Sequence, residues 1–302
     1  MRGVSGTGAL RPSPRRTGAR PASRVAELSA DGSSLPDMGA ELDYVDHLVR
    51  ESARFVEAIS EAPPEVPVPS CPDWNADDLL WHLAEVQWFW GTIVREGMTA
   101  VPEGQPTPRR PGDRAGLAAF YDRVSHDLAD VLAATPPDTA AWTWAAEQTV
   151  GFIRRRQAHE ALIHRVDAEL AAGRRTPLDR DLSADGVDEA LRIMYGNLPP
   201  WGSFTPDGVG TLRLRASDTG DTWLVTVGRF TGTDPGDGTR YDEPDIHAAD
   251  SDPGGPAAAE ISGTAADLDC WLWHRPTFAP VTSSGDQEVL SRFGSAIAPG
   301  ID

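Results

Sequence analysis

The sequence predicts two domains, a bundle of four long helices followed by a small α+β domain. Apolar residues recur at helical spacing in four segments between residues 42 and 172. Beyond Thr176-Pro177 the apolar pattern changes to a period of two and then to short mixed elements. A chain of 302 residues is long enough for both units. We place the helical domain at 38–177 and the α+β domain at 178–302, with 1–37 as an N-terminal extension.

Residues 1–37 are rich in Arg, Pro, Ser and Gly without an apolar period, the composition of an unstructured tail. An Arg- and Ser-rich start without acid is also the composition of a transit peptide, and Met38 is an alternative start of translation. From Leu42, the residues Val45, Leu48, Val49, Phe55 and Ile59 define a first helix to about Ala62. The Pro63–Pro69 run ends it. Asn75 is the N-cap of a second helix, with Asp77 and Asp78 in its first turn, where they suit the helix dipole. That helix runs through Leu79, His82, Leu83, Val86, Phe89, Trp90 and Ile93. A Pro- and Gly-rich loop, Pro102–Gly112, precedes a third helix carrying Leu117, Phe120, Val124, Leu128 and Leu132. The fourth carries Phe152, Ile153, Leu162, Val166 and Leu170 and stops near Gly173. Such bundles build metal sites from side chains on facing helices.

In the second domain Ser183–Tyr195 reads as one helix. Thr211–Arg215 and Thr222–Val227 alternate around Asp218-Thr219-Gly220-Asp221 as a hairpin. The acidic, Gly-rich segment Gly232–Gly255 is expected as a surface loop. Ala258–Ser262 is a short strand, and Thr264–His274 and Asp286–Ile297 are helices.

Composition narrows the function. The formal net charge is −19, and the chain has no lysine. Residues 1–24 hold six arginines and no acid, which leaves 21 basic against 46 acidic residues in the remainder, or −25. A body this acidic repels phosphate backbones and argues against a nucleic-acid partner. No run of about 18 apolar residues is present to span a membrane. Two cysteines, Cys71 and Cys270, make no disulfide framework, so a reducing cytoplasm is the expected compartment.

The chemistry concentrates in Arg155–Asp167. A helix turns about 100° per residue, so Glu160 and His164 project within about 40° of each other. His159 and His164 diverge by about 140°, so the zinc-protease arrangement of two histidines on one face is absent. Gln157 and Asp167 extend the same polar stripe. A Glu/His pair needs a further ligand from another helix, and the best candidate is His82. Alone, each of these residues also has a plainer reading: His82 as a hydrogen-bonded core histidine, and Glu160 and His164, flanked by arginines, as a solvated helix face. His159 reads as a residue outside the ligand set. Cys71 reads as a small residue beside a proline turn.

Three segments together carry a resemblance. Val68-Pro69-Ser70-Cys71-Pro72-Asp73-Trp74 with Asp78-Leu79-Leu80-Trp81-His82-Leu83, then His159–Asp167, then Ile261–Leu268 with Trp271-Leu272-Trp273-His274-Arg275, resemble in order the motifs of the mycothiol-dependent maleylpyruvate isomerase family. The match runs from about residue 40 to the end. It implies a DinB-like four-helix domain followed by a sterol-carrier-like α+β domain. It further implies a divalent metal, usually zinc, on His82, Glu160 and His164, the thiol mycothiol as cosubstrate, and an actinobacterial origin. Where relatives usually have a glycine before the arginine, this chain has His274.

Two imidazoles and a carboxylate with a fourth position open are the donor set of a catalytic zinc site; structural sites are usually closed by four protein ligands. A thiol near pKa 8.5 is only a few per cent ionised at neutral pH, and coordination removes its proton. The expected reaction is addition of the activated thiolate to a small electrophilic substrate. Release of the thiol after rotation gives a cis–trans isomerisation, and its retention gives an S-transfer. Arg275 is the expected catalytic arginine, a clamp for a substrate carboxylate, with a helix C-terminal cap as its plainer role. The alternatives are a non-catalytic metal-binding or regulatory protein and, by fold analogy alone, a carrier of small apolar ligands. The sequence leaves monomer and homodimer open.

Overall fold

The computed structural model describes residues 42–101 and 107–301. The extension 1–37 and part of the Pro102–Gly112 loop lie outside the described residues. The helical half contains α1 (Tyr44–Glu61), α2 (Ala76–Arg95), α3 (Arg114–Ala134) and α4 (Val150–Ala171). Each starts where a short polar side chain accepts a hydrogen bond from the first turn. Asp43, Asn75, Asp113 and Thr149 receive the N–H groups of Asp46, Asp78, Gly116 and Phe152. Asn75 and Asp78 close a reciprocal capping box that fixes the start of α2. A two-stranded ribbon, β1 (Pro67–Val68) with β2 (Cys71–Asn75), leads into that cap, where only a proline-rich run was legible from sequence.

Apolar stripes from α1, α2 and α3 meet in a core that includes Phe55, Ile59, Leu79, Leu83 and Leu117, all essentially inaccessible. Each such side chain contributes about 1.5–3 kcal/mol of burial. Helix α4 differs from the other three. Of its 22 residues 17 are buried, so it has no solvent face of the ordinary amphipathic kind. It packs against α1 and α2 on one side, while Ile163 joins the core of the second domain on the other. This explains why its charged residues are paired: Arg165 is inaccessible, donates to Glu51 at 2.7 Å and forms an ion pair with Glu169 at 3.1 Å.

The second domain is a five-stranded sheet in the order β5-β4-β3-β6-β7, with α5 (Arg180–Glu189), α6 (Ala265–Leu272) and α7 (Gln287–Ile297). Strands β3 (Gly202–Ala216) and β4 (Thr222–Thr233) are the expected hairpin, extended well beyond the alternating segments. β6 (Ala259–Gly263) runs parallel to β3, and β7 (Thr282–Gly285) pairs antiparallel to β6.

Two expectations are corrected. The Gly232–Gly255 segment is not all loop, since Arg240–Ala248 forms β5 along β4. Its proline and charges hid it, and both are features of an edge strand, where unpaired backbone and solvent tolerate them. The helix expected over Ser183–Tyr195 is α5 to Glu189 and then a π-helical segment, Ala190–Tyr195. Wider turns of this kind collect at functional sites. Here the segment carries Met194 to Arg156 and lets the Tyr195 hydroxyl donate to the Leu272 carbonyl at 2.6 Å.

Candidate metal centre

His82 on α2 meets Glu160 and His164 on α4. One ligating atom from each lies within 4.8 Å of the others. Glu160 Oε1 is 3.5 Å from His82 Nε2 and 3.2 Å from His164 Nε2, and the imidazole centroids are 4.7 Å apart. All three side chains retain 10–17% exposure, so the cluster opens to one side. The indole of Trp74, delivered by β2, lies 4.5 Å from the His82 ring.

Two of the three candidate ligands, His164 and Glu160, are held from behind. His164 Nδ1 lies 3.0 Å from Asp167 Oδ2, which directs Nε2 into the cluster. Asp167 is inaccessible and receives two parallel bonds from Arg275, Nε to Oδ1 and Nη2 to Oδ2, each 2.9 Å. The Ser70 hydroxyl donates to Oδ1, and Cys71 Sγ lies 3.9 Å from Oδ2. Glu160 Oε2 accepts from Arg156 Nη2 at 3.0 Å. Arg156 also donates to Glu189 and lies over the Trp273 ring at 5.2 Å.

The electrostatics follow. Burial works against charge on Glu160, but bonds from His164 and His82 and the Arg156 guanidinium hold its carboxyl well below the usual range. Burial opposes protonation of His164 too, yet the bonds to Asp167 and Glu160 outweigh it and raise the group to about 9. His82 is pushed down by burial, and its Nδ1 is buried without a hydrogen-bond partner. Burial and Asp167 push the Cys71 thiol up to about 11.

These residues fit a divalent cation. Two Nε2 atoms and one carboxylate oxygen converge, one imidazole is oriented by a carboxylate, and the set matches the donors of open zinc sites.

Arg275 reaches the site through a helix ending. Its N–H bonds the Cys270 carbonyl at 2.7 Å, and that of His274 bonds Trp271 at 3.1 Å, the paired closure of a left-handed cap. His274 has φ of 57°, the position that favours glycine, which accounts for the glycine expected there. The guanidinium then turns inward, with Nη1 on the Trp273 carbonyl at 2.6 Å.

Of the residues singled out from sequence, His82, Glu160 and His164 come together, and Asp167 and Arg275 stand directly behind His164. His159 does not join them. Its Nε2 lies 2.7 Å from Asp185 of α5, where it ties α4 to the second domain. Sequence reasoning gave Arg156 no role; the flanking arginines entered only as fitting the plainer, solvated-face alternative for Glu160 and His164. The signal was its spacing, four residues before Glu160, which allows an ion pair on one helix face.

Two family models match the chain. The mycothiol maleylpyruvate isomerase N-terminal domain covers residues 45–169, and the MDMPI C-terminal domain covers 181–292. Among solved structures the fold is similar to a histidine-to-alanine mutant of the mycothiol-dependent maleylpyruvate isomerase. That match has a TM-score of 0.50 and 14% identity over 81% of this chain and 93% of that one. The same enzyme without the substitution matches over the same shares at TM-score 0.49 and 16% identity. No curated protein matches the sequence. With both domain models matched in order and over most of its length, the chain belongs to the mycothiol maleylpyruvate isomerase family.

Proposed function

We propose that this protein is a metal- and mycothiol-dependent enzyme acting on a small electrophilic substrate, by isomerisation of the maleylpyruvate type or by S-transfer. The convergence of His82, Glu160 and His164 at an opening carries the reading, and the family membership supplies the thiol. His82, Glu160 and His164 would hold a divalent ion, zinc by the donor set, which would supply acidity to a thiol whose free pKa near 8.5 otherwise leaves it protonated at neutral pH.

The chain's own residues then have distinct tasks. Glu160 stays ionised and His164 keeps Nε2 directed at the opening because Asp167 occupies Nδ1. Arg275 neutralises Asp167 in a place without solvent, so its main role is to position His164, and a contact with substrate would be additional. Trp74 packs its indole beside the His82 and His164 rings, and Trp273 lies under the guanidinium groups of Arg156 and Arg275. Neither cysteine serves as nucleophile: Cys71 is held protonated by its surroundings, and Cys270 is buried between α6 and α4 and raised to about 12.

Metal analysis paired with a mycothiol-consumption assay tests the reading. About one metal per chain, lost in His164→Ala, with metal-dependent turnover of maleylpyruvate or another electrophile is the expected result. Turnover without net loss of thiol assigns isomerisation, and net loss assigns S-transfer. Metal bound without turnover on any electrophile would move the assignment to a binding protein, and no metal at all would refute it.

A further inference from the structure

Arg156 is 3% exposed and sits between the two domains. One arm of its fork, Nη2, takes Glu160 Oε2 at 3.0 Å. The other, Nη1, takes Glu189 at the end of α5 and lies 3.6 Å from Met194 Sδ in the π-helical segment. Its plane covers Trp273, whose ring also faces Arg275 at 6.0 Å. Every anchor of this guanidinium other than Glu160 belongs to the second domain.

The consequence lies in how the two oxygens of Glu160 are shared. Oε1 faces both histidines, while Oε2 is turned to Arg156. A carboxylate can chelate a metal through both oxygens, and doing so would fill the position a fourth ligand needs. We propose that Arg156 is a positioning residue that restricts Glu160 to one ligating oxygen and so keeps the fourth position free for the cosubstrate thiol. This rests on the metal- and thiol-dependent reading above. Arginine suits the task because a rigid fork serves two carboxylates at once, which an ammonium does with less directional control. Through Glu189, Met194 and Trp273 the second domain sets the coordination number of a site whose ligands all belong to the first.

The test uses Co2+ as the metal, because its visible absorption reports coordination number without reference to turnover. In the wild-type protein we expect the intense bands of a four-coordinate ion, and a thiolate-to-cobalt charge-transfer band on titration with mycothiol. Arg156→Gln is expected to bind Co2+ with the weak bands of higher coordination. Its half-saturating mycothiol concentration should rise about 10- to 100-fold, the usual effect of losing a group behind a metal ligand. Arg156→Lys, which returns a cation to Oε2, should restore the four-coordinate spectrum. Cobalt and thiol binding in Arg156→Gln identical to wild type overturns the role of Arg156 while leaving the metal reading intact. A wild-type protein that binds no cobalt overturns both. Should Arg156→Gln fail to fold by circular dichroism, the wild type and Arg156→Lys decide: five- or six-coordinate spectra before thiol in both refute the proposal.

Discussion

The Asp167–Arg275 pair permits a quantitative test of how the second domain supports the site. The side chains are 0% and 8% exposed, and two bonds of 2.9 Å join them. Removing one member of a buried pair leaves an uncompensated charge and costs about 3–5 kcal/mol, whereas removing both charges is often close to neutral. Arg275→Met and Asp167→Asn should therefore each lower stability by several kcal/mol. The double variant should be no worse than either, which requires a coupling energy at least as large as the smaller single loss, about 3 kcal/mol or more. Urea unfolding of the metal-free proteins gives these values. Because Asp167 also orients His164, each single variant should bind Zn2+ about 10- to 100-fold more weakly, and the losses should not add. An Arg275→Met variant that costs under about 1 kcal/mol, as a surface pair would, and keeps its zinc affinity while losing turnover would refute a supporting role. Arg275 would then act on the substrate.

Three further outcomes are expected. Both carboxyl oxygens of Asp269 are buried without a hydrogen-bond partner, and burial followed by the charge of Glu189 pushes the group well above the usual carboxylate value. Its folded pKa exceeds the unfolded one, so its contribution to stability is full at acid pH and is lost as pH rises toward the folded value, at about 1.4 kcal/mol per pH unit between the two. Asp269→Asn should thus melt higher than wild type at neutral pH, with the difference shrinking toward about pH 4; an equal shift at every pH would contradict this. Asn75→Ala removes the α2 cap and should cost about 1 kcal/mol in chemical unfolding, with a loss beyond about 2 kcal/mol pointing to a different role. Alkylation of Cys71 should stay slow at neutral pH and accelerate toward pH 11, and fast modification at pH 7 would mean that the thiol is ionised by its surroundings.

Much of the fold was legible because its signals are local. Apolar periodicity marked α1 to α4, and Asn75 and Thr264 sit where a short polar residue meets the first turn of a helix. The strand β5 was hidden because an edge strand buries little and tolerates Pro244 and its acidic neighbours. The π-helical segment was hidden because its apolar residues suit an ordinary helix equally well; the extra residue per turn answers to packing against Arg156 and Leu272.

For the site, the sequence by itself determined which candidate ligands share a face of α4, since four residues of helix place Glu160 and His164 on one side whatever surrounds them. It also supplied His82 as a candidate from another helix. Only the tertiary structure decided which side chains stand behind those ligands. Asp167 and Arg275 are 108 residues apart in the chain, and Arg156 and Glu189 are 33 apart. No helical or strand period links such positions. The burial of α4 between two domains removed water from its charged residues, and that desolvation favoured partners wherever packing offered them: Glu51 of α1 for Arg165, and Glu189 and Arg275 of the second domain for Arg156 and Asp167.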